Sequence, residues 1–141
     1  MSTEIRESDL VEQSHEVRDE WIAAVDALYR QAEIWAEGQR WQTQRKSIIN
    51  NEKRLGTYEV WQLVVKTDQG RIVFRPVARD ITGALGRIDL IARPSRFPTR
   101  MIGRLGPENW QIAPFGDSTV VTAWNEANFI DLMQNLIPSA A

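Results

Sequence analysis

The hydrophobic period of the chain changes once, near Thr57, and that change sets the class of fold. Before it, apolar residues recur at Leu10, Val17, Trp21, Ala24, Leu28 and Trp35. These steps suit the period of a helix, about 3.6 residues. A second row, Ile22, Val25, Tyr29, Ala32 and Ala36, widens the stripe in the later half. The opposite side carries Glu16, Asp19, Glu20, Asp26, Arg30, Glu33 and Glu37. The pattern predicts one long amphipathic helix over residues 10–41, after a flexible start at 1–9, with Ser8 or Asp9 as its cap. Gly38 either ends this helix or weakens it. Residues 39–56 are polar and without a clear period, which reads as a helical continuation to about Asn50 or as a loop.

From Thr57 the alternation is by two, and residues 57–122 read as an antiparallel sheet. Strands are predicted at Tyr58–Lys66, Arg71–Val77, Arg87–Ala92, Thr99–Leu105 and Trp110–Ala113, with Ser118–Thr122 as a weaker sixth. Thr67-Asp-Gln-Gly70 and Gly106-Pro-Glu-Asn109 supply the residues of tight turns. A final helix is predicted from Glu126 to about Ile137. Asn125 is its N-cap, and Trp124 is placed to touch Phe129. Its buried face is Phe129, Leu132, Met133 and Leu136, and Pro138 stops it. Helix, five-stranded meander and helix make a single α+β domain over residues 1–141.

Composition sets limits on chemistry. With 141 residues, 43% of them apolar and 26% charged, the chain is long enough for an ordinary core. It has no Cys, so disulfides, Cys-based zinc sites and thiol nucleophiles are excluded. The only His, His15, lies among Glu12, Glu16 and Asp19 on the long helix. Its neighbour Ser14 is adjacent in sequence and so does not face it, which favours a solvated His over a catalytic relay. No glycine stretch has the spacing of a phosphate loop. The acidic start lacks the apolar region of a signal peptide, and no apolar run spans a membrane. The expected location is cytoplasmic, and no cofactor is implied.

The net charge of −2 hides a segregation. Residues 1–37 carry −7, residues 38–104 carry +9 and residues 105–141 carry −4. Alternation along the predicted strands puts Ile72, Phe74, Ile88, Leu90, Met101 and Leu105 on one face. It puts Arg71, Arg75, Arg87, Arg93, Arg100 and Arg104 on the other. Such a face can bind an acidic protein segment or nucleic acid, since Arg favours planar bidentate contacts. The competing use is internal, with the acidic helix lying against these arginines. The long helix, roughly 45 Å at about 1.5 Å per residue, also exceeds what a small domain requires. A homodimer is therefore expected through Trp21, Val25, Leu28, Ala32 and Trp35. Six Trp mostly fall at helix and strand spacings that suit a core. Trp41, in Arg40-Trp-Gln-Thr-Gln-Arg-Lys46, is read as packing the helix end onto the sheet rather than stacking a base.

One short motif has a specific look. Gly86-Arg-Ile-Asp-Leu-Ile-Ala-Arg93 resembles the Gly-Glu-Ile-Asp-Leu-Ile-Ala-Arg strand of some restriction-endonuclease-like nucleases. The resemblance implies that Asp89 would hold a divalent cation, with Asp80 and Glu108 as the other available carboxylates. The sequence departs from that pattern in having Arg87 for the glutamate and no Glu-x-Lys on the next strand. The reading that fits these residues best is a non-catalytic, self-associating interaction module with an Arg-rich sheet face. Nucleic-acid binding by that face comes second, and a metal-dependent nuclease third.

Overall fold

The computed structural model describes residues 6–114 and 120–136. Its elements run α1 (Glu7–Gly38), β1 (Gln42–Glu52), β2 (Gly56–Thr67), β3 (Gly70–Ala78), β4 (Arg87–Ala92), β5 (Arg100–Gly106), β6 (Asn109–Pro114), β7 (Thr122–Ala123) and α2 (Glu126–Asn135). The strands form one seven-stranded sheet in sequence order, every neighbour antiparallel. Both helices cover the same face of it, which makes the fold α+β with seven strands rather than five or six.

The additional strand at the start is β1, in the stretch read as helix or loop. It pairs with β2 over its whole length, from Gln42↔Lys66 to Glu52↔Gly56. It alternates between exposed and half-buried residues, but mostly with Gln, Thr, Arg, Ser and Asn. A hydrophobic pattern cannot detect a strand at the sheet edge whose inward residues are polar. At the other edge, β7 is only Thr122–Ala123; residues 118 and 119 of the expected strand lie outside the described residues.

α1 starts at Glu7, so residues 7–9 are helical rather than a loose leader, and its N-cap is Arg6 with no side-chain bond. Neither Ser8 nor Asp9 caps it. α1 ends at Gly38, where the Trp41 N–H donates to Ala36 O at 3.0 Å and turns the chain into β1. α2 is capped as the sequence predicts, with Asn125 Oδ1 accepting from Asn128 N at 2.9 Å. It ends at Asn135, and Ile137 lies outside the described residues. Trp124 and Phe129 meet with ring centroids 5.6 Å apart.

The core lies between the helices and one sheet face. α1 contributes Trp21, Val25, Leu28, Tyr29, Ala32 and Ala36, and α2 contributes Phe129 and Met133. The sheet contributes Leu63, Val65, Ile72, Phe74, Ile88, Leu90, Ile102 and Ile112. Trp41 is buried in this cluster with its ring 6.3 Å from that of Phe129, so it packs the end of α1 against α2 and the core.

Along β2, burial changes phase. Tyr58 and Val60 are inward, then Leu63 and Val65. The β2–β3 ladder stops at Leu63↔Phe74, while β1 and β2 continue as a two-stranded ribbon. Such ribbons twist strongly, and here the even-numbered face turns to the core beyond Leu63. That twist leaves Trp61 41% exposed and Ile49 69% exposed, although Trp61 is among the Trp residues whose strand spacing suits a core.

At the other end of the sheet, the Trp21 indole packs directly on Gly86. A Cβ at Gly86 would stand 2.1 Å from the indole, and its φ of +148° already disfavours L side chains. Gly86→Ala is expected to lower the unfolding free energy by about 3 kcal/mol or more in urea titration. Gly38→Ala, with open space around it, should stay within about 1 kcal/mol of wild type on the favourable side. Equal behaviour of the two variants would contradict this packing.

Candidate functional site

The arginines expected on one face are divided between two. Register sets the division: Ile88 pairs with Ile102, Leu90 with Arg100, and Asp89 with Met101. Side chains directly opposite one another point to the same side. Arg100, Ile102 and Arg104 therefore share the helix side with Ile88 and Leu90, while Met101 and Leu105 take the outer side. This corrects the phase expected for β5, and with it the placement of Arg100 and Arg104. Arg71, Arg75 and Arg87 are on the outer face as expected. Arg93 continues the alternation past β4, with its N–H donating to Arg71 O at 2.9 Å.

Arg104 is 1% exposed and fully engaged. Its Nη1 and Nη2 donate to Glu20 Oε1 and Oε2 of α1 at 2.7 and 2.5 Å. Its Nε and Nη2 also donate to Pro107 O at 3.2 and 2.9 Å. The guanidinium stands 5.7 Å from the Trp110 ring, which in turn lies 5.9 Å from Trp21. The hydrogen bond from Arg104 holds the Glu20 carboxyl below its ordinary value, against the opposing effect of burial.

A second cation of the sheet, absent from the sequence-based set, does the same at the middle of α1. Arg45 of β1 donates through Nη1 to Asp26 Oδ1 at 2.5 Å and through Nη2 to Glu33 Oε1 at 2.6 Å. It also lies 5.7 Å from the Tyr29 ring. Arg45 and both acids were visible as charges, but not their pairing, because β1 was not. Internal compensation is thus realised on the helix side of the sheet. Arg100, also on that side, lines a cleft of about 270 Å³ with Ile112, Asn128, Asp131 and Leu132. Its Nη1 donates to Thr99 O at 3.0 Å.

The outer face is different. Lys66 pairs directly with Arg71, and Arg93 lies next to Arg71 on the far side, which makes a cross-strand row of like charge. Such rows destabilise a sheet unless something neutralises them. The next row is apolar, Val64, Val73 and Ile91, and beyond it Arg75 stands opposite Asp89. Asp89 is 4% exposed and is held by Arg87, Nε to Oδ1 at 2.8 Å and Nη2 to Oδ2 at 3.2 Å. Among the described residues, Lys66, Arg71, Arg75 and Arg93 form no salt bridge.

The carboxylates that the nuclease resemblance implies are not brought together. Asp80 accepts from Arg54 at 2.7 and 2.5 Å and from Arg79 at 3.3 Å. The Arg54 hydrogen bond lowers its pKa. Asp89 is committed to Arg87, and Glu108 is exposed in the β5–β6 turn. Among the described residues, no three His, Cys, Asp or Glu side chains gather as a metal site.

The helix stripe expected to pair with a second copy faces this chain's own sheet. Trp21, Val25, Leu28 and Ala32 are buried, and Trp35 is half-buried against Trp124 and Phe129. No helix among the described residues is long and apolar enough to cross a membrane. Comparison with known protein families, curated proteins and solved structures finds no match to the chain.

The Glu20–Arg104 contact has a pH signature. Because the folded-state pKa of Glu20 lies below the ordinary 4.5, its stabilisation is present above that value. It is lost as pH falls through the folded value. The carboxylate is half-exposed, so Glu20→Gln should cost only about 1–2 kcal/mol at pH 7. The difference from wild type should shrink as pH falls below 4.5. Denaturant titration across pH checks this; a difference independent of pH would contradict it.

Proposed function

We propose that the chain is a non-catalytic interaction module whose outer sheet face binds an acidic segment of a partner protein. The observation that carries this reading is the unneutralised row of Lys66, Arg71 and Arg93, with Arg75 beside it. The arginines on the helix side, Arg45 and Arg104, have their acids within the chain; these four form no salt bridge among the described residues, the Asp89 opposite Arg75 being held by Arg87. Exposed guanidinium groups on a rigid sheet suit carboxylates through paired, charge-assisted hydrogen bonds.

An acidic peptide suits the molecule better than a nucleic-acid duplex. The start of α1 exposes Glu7, Asp9, Glu12 and Glu16, and the chain is net negative. A long polyphosphate meets this field as well as the cationic patch, whereas a short acidic segment meets the patch alone.

Fluorescence anisotropy with a labelled oligoglutamate peptide tests this, with a duplex DNA of similar charge alongside. Wild type should bind the peptide at low salt and release it as salt rises. Arg71→Glu/Arg75→Glu/Arg93→Glu should weaken binding by about tenfold or more. Arg6→Glu/Arg30→Glu/Lys53→Glu changes net charge equally and should retain most of it. Equal losses in the two triple variants, or no binding, would overturn the reading. Tighter binding to DNA would replace the acidic protein by nucleic acid as the partner.

A further inference from the structure

The edge of β1 is the longest unprotected feature of the fold. β1 runs from Gln42 to Glu52 without Pro or Gly, and its ladder with β2 has no register shift. Its far side is the open edge of the sheet, since β1 is the first strand in the order. Among the described residues, no backbone or side-chain hydrogen bond reaches that edge from elsewhere in the chain. Natural edges are blunted by shortness, bulges, Pro or inward charges. The opposite edge, β7, is blunted by being only two residues long. β1 has none of the first three devices; of its charges, Arg45 is neutralised by α1, Glu52 is turned inward onto Tyr58 and the N–H groups of Arg79 and Asp80, and Lys46 is exposed.

We infer that this edge pairs antiparallel with β1 of a second copy, joining the two sheets into one across a two-fold axis at Ile49. The inference is separate from the outer-face reading and does not depend on it. Residues opposite one another in an antiparallel pair must point to the same side, so only registers with an even sum of residue numbers are allowed. Centring on Ile49 places Lys46 opposite Glu52 of the second copy, and Glu52 opposite its Lys46. It also places Ile48 opposite Asn50, and Ile49 opposite itself. Centring on Ile48 sets Lys46 against Asn50, and centring on Asn50 moves Lys46 past the end of the partner strand.

The charges support the first register. Glu52 accepts from neutral donors, Tyr58 Oη and the N–H groups of Arg79 and Asp80, and forms no salt bridge among the described residues, although Arg54 lies near enough to feel its charge. Lys46 likewise has no carboxylate partner. Pairing at Ile49 forms two Lys46–Glu52 pairs, one on either side of the axis, and gives each Lys46 a carboxylate and each Glu52 a direct cation. It also covers Ile49, which the twist of the ribbon leaves 69% exposed. The expected dimer thus uses a sheet edge, because the helix stripe is already buried within one chain.

The absence of Cys from the chain makes the test clean. Facing residues of an antiparallel pair have Cα atoms about 5 Å apart, within disulfide range. Ile49→Cys should therefore oxidise to a covalent dimer, while Ser47→Cys, also exposed but off the axis, stays reduced. Sedimentation equilibrium of wild type from micromolar to millimolar concentration should show a monomer–dimer exchange. Lys46→Glu should weaken it by about tenfold or more by opposing two carboxylates. Wild type that is monomeric throughout, with both Cys variants reduced, would overturn the proposal. So would a dimer in which Ser47→Cys cross-links at least as readily as Ile49→Cys.

Discussion

The structure depends on one helix lying along one face of a sheet. α1 buries Trp21, Val25, Leu28, Tyr29, Ala32 and Ala36 against strands that are not otherwise covered on that side, and α2 fills the remaining space with Phe129 and Met133. The apolar seam supplies the non-directional part of this contact. Its position is fixed by more specific features. Trp21 sits on the bare backbone of Gly86, and two sheet arginines reach up to the helix acids on either side of the seam. A helix displaced by one turn would take Asp26 away from Arg45 and put Ile22 or Arg30 in its place, and a half-buried guanidinium without its acid is a costly defect.

The same contact sorts the charges. Residues 1–37 are strongly acidic and the strands that follow strongly basic, yet the chain as a whole is nearly neutral. Neutralisation occurs at the α1–sheet interface for Arg45 and Arg104, and within the sheet for Arg87 through the buried Asp89. What it does not reach is the outer surface of β2, β3 and the end of β4. There the like-charged row of Lys66, Arg71 and Arg93 persists beside Arg75. Its repulsion is a standing local cost that a bound carboxylate would relieve.

Local features were legible in the sequence and non-local ones were not. The Asn125 cap needs only residues within one helical turn, and the Thr67–Gly70 turn only its own four residues. The helix seam follows from period alone. The phase of β5 does not: Arg100, Ile102 and Arg104 alternate with Met101, Gly103 and Leu105, and each set mixes apolar and other residues. Pairing with β4 decides between them, and the carboxylate that makes an inward Arg104 tolerable lies 84 residues earlier. β1 is invisible to a hydrophobic period because its alternation is written in polar residues. Trp61 was misplaced because a twisted ribbon exchanges its faces, which a strict period of two cannot represent.

The central claim is that the acidic helix neutralises the helix-side arginines and leaves the outer ones open. Arginine-selective modification with phenylglyoxal, followed by peptide mass spectrometry, reads this residue by residue on the native protein. Arg71, Arg75 and Arg93 are expected to react early, and Arg45 and Arg104 only when the protein unfolds. Modification of Arg104 or Arg45 in the folded protein as fast as that of Arg71 would contradict the account.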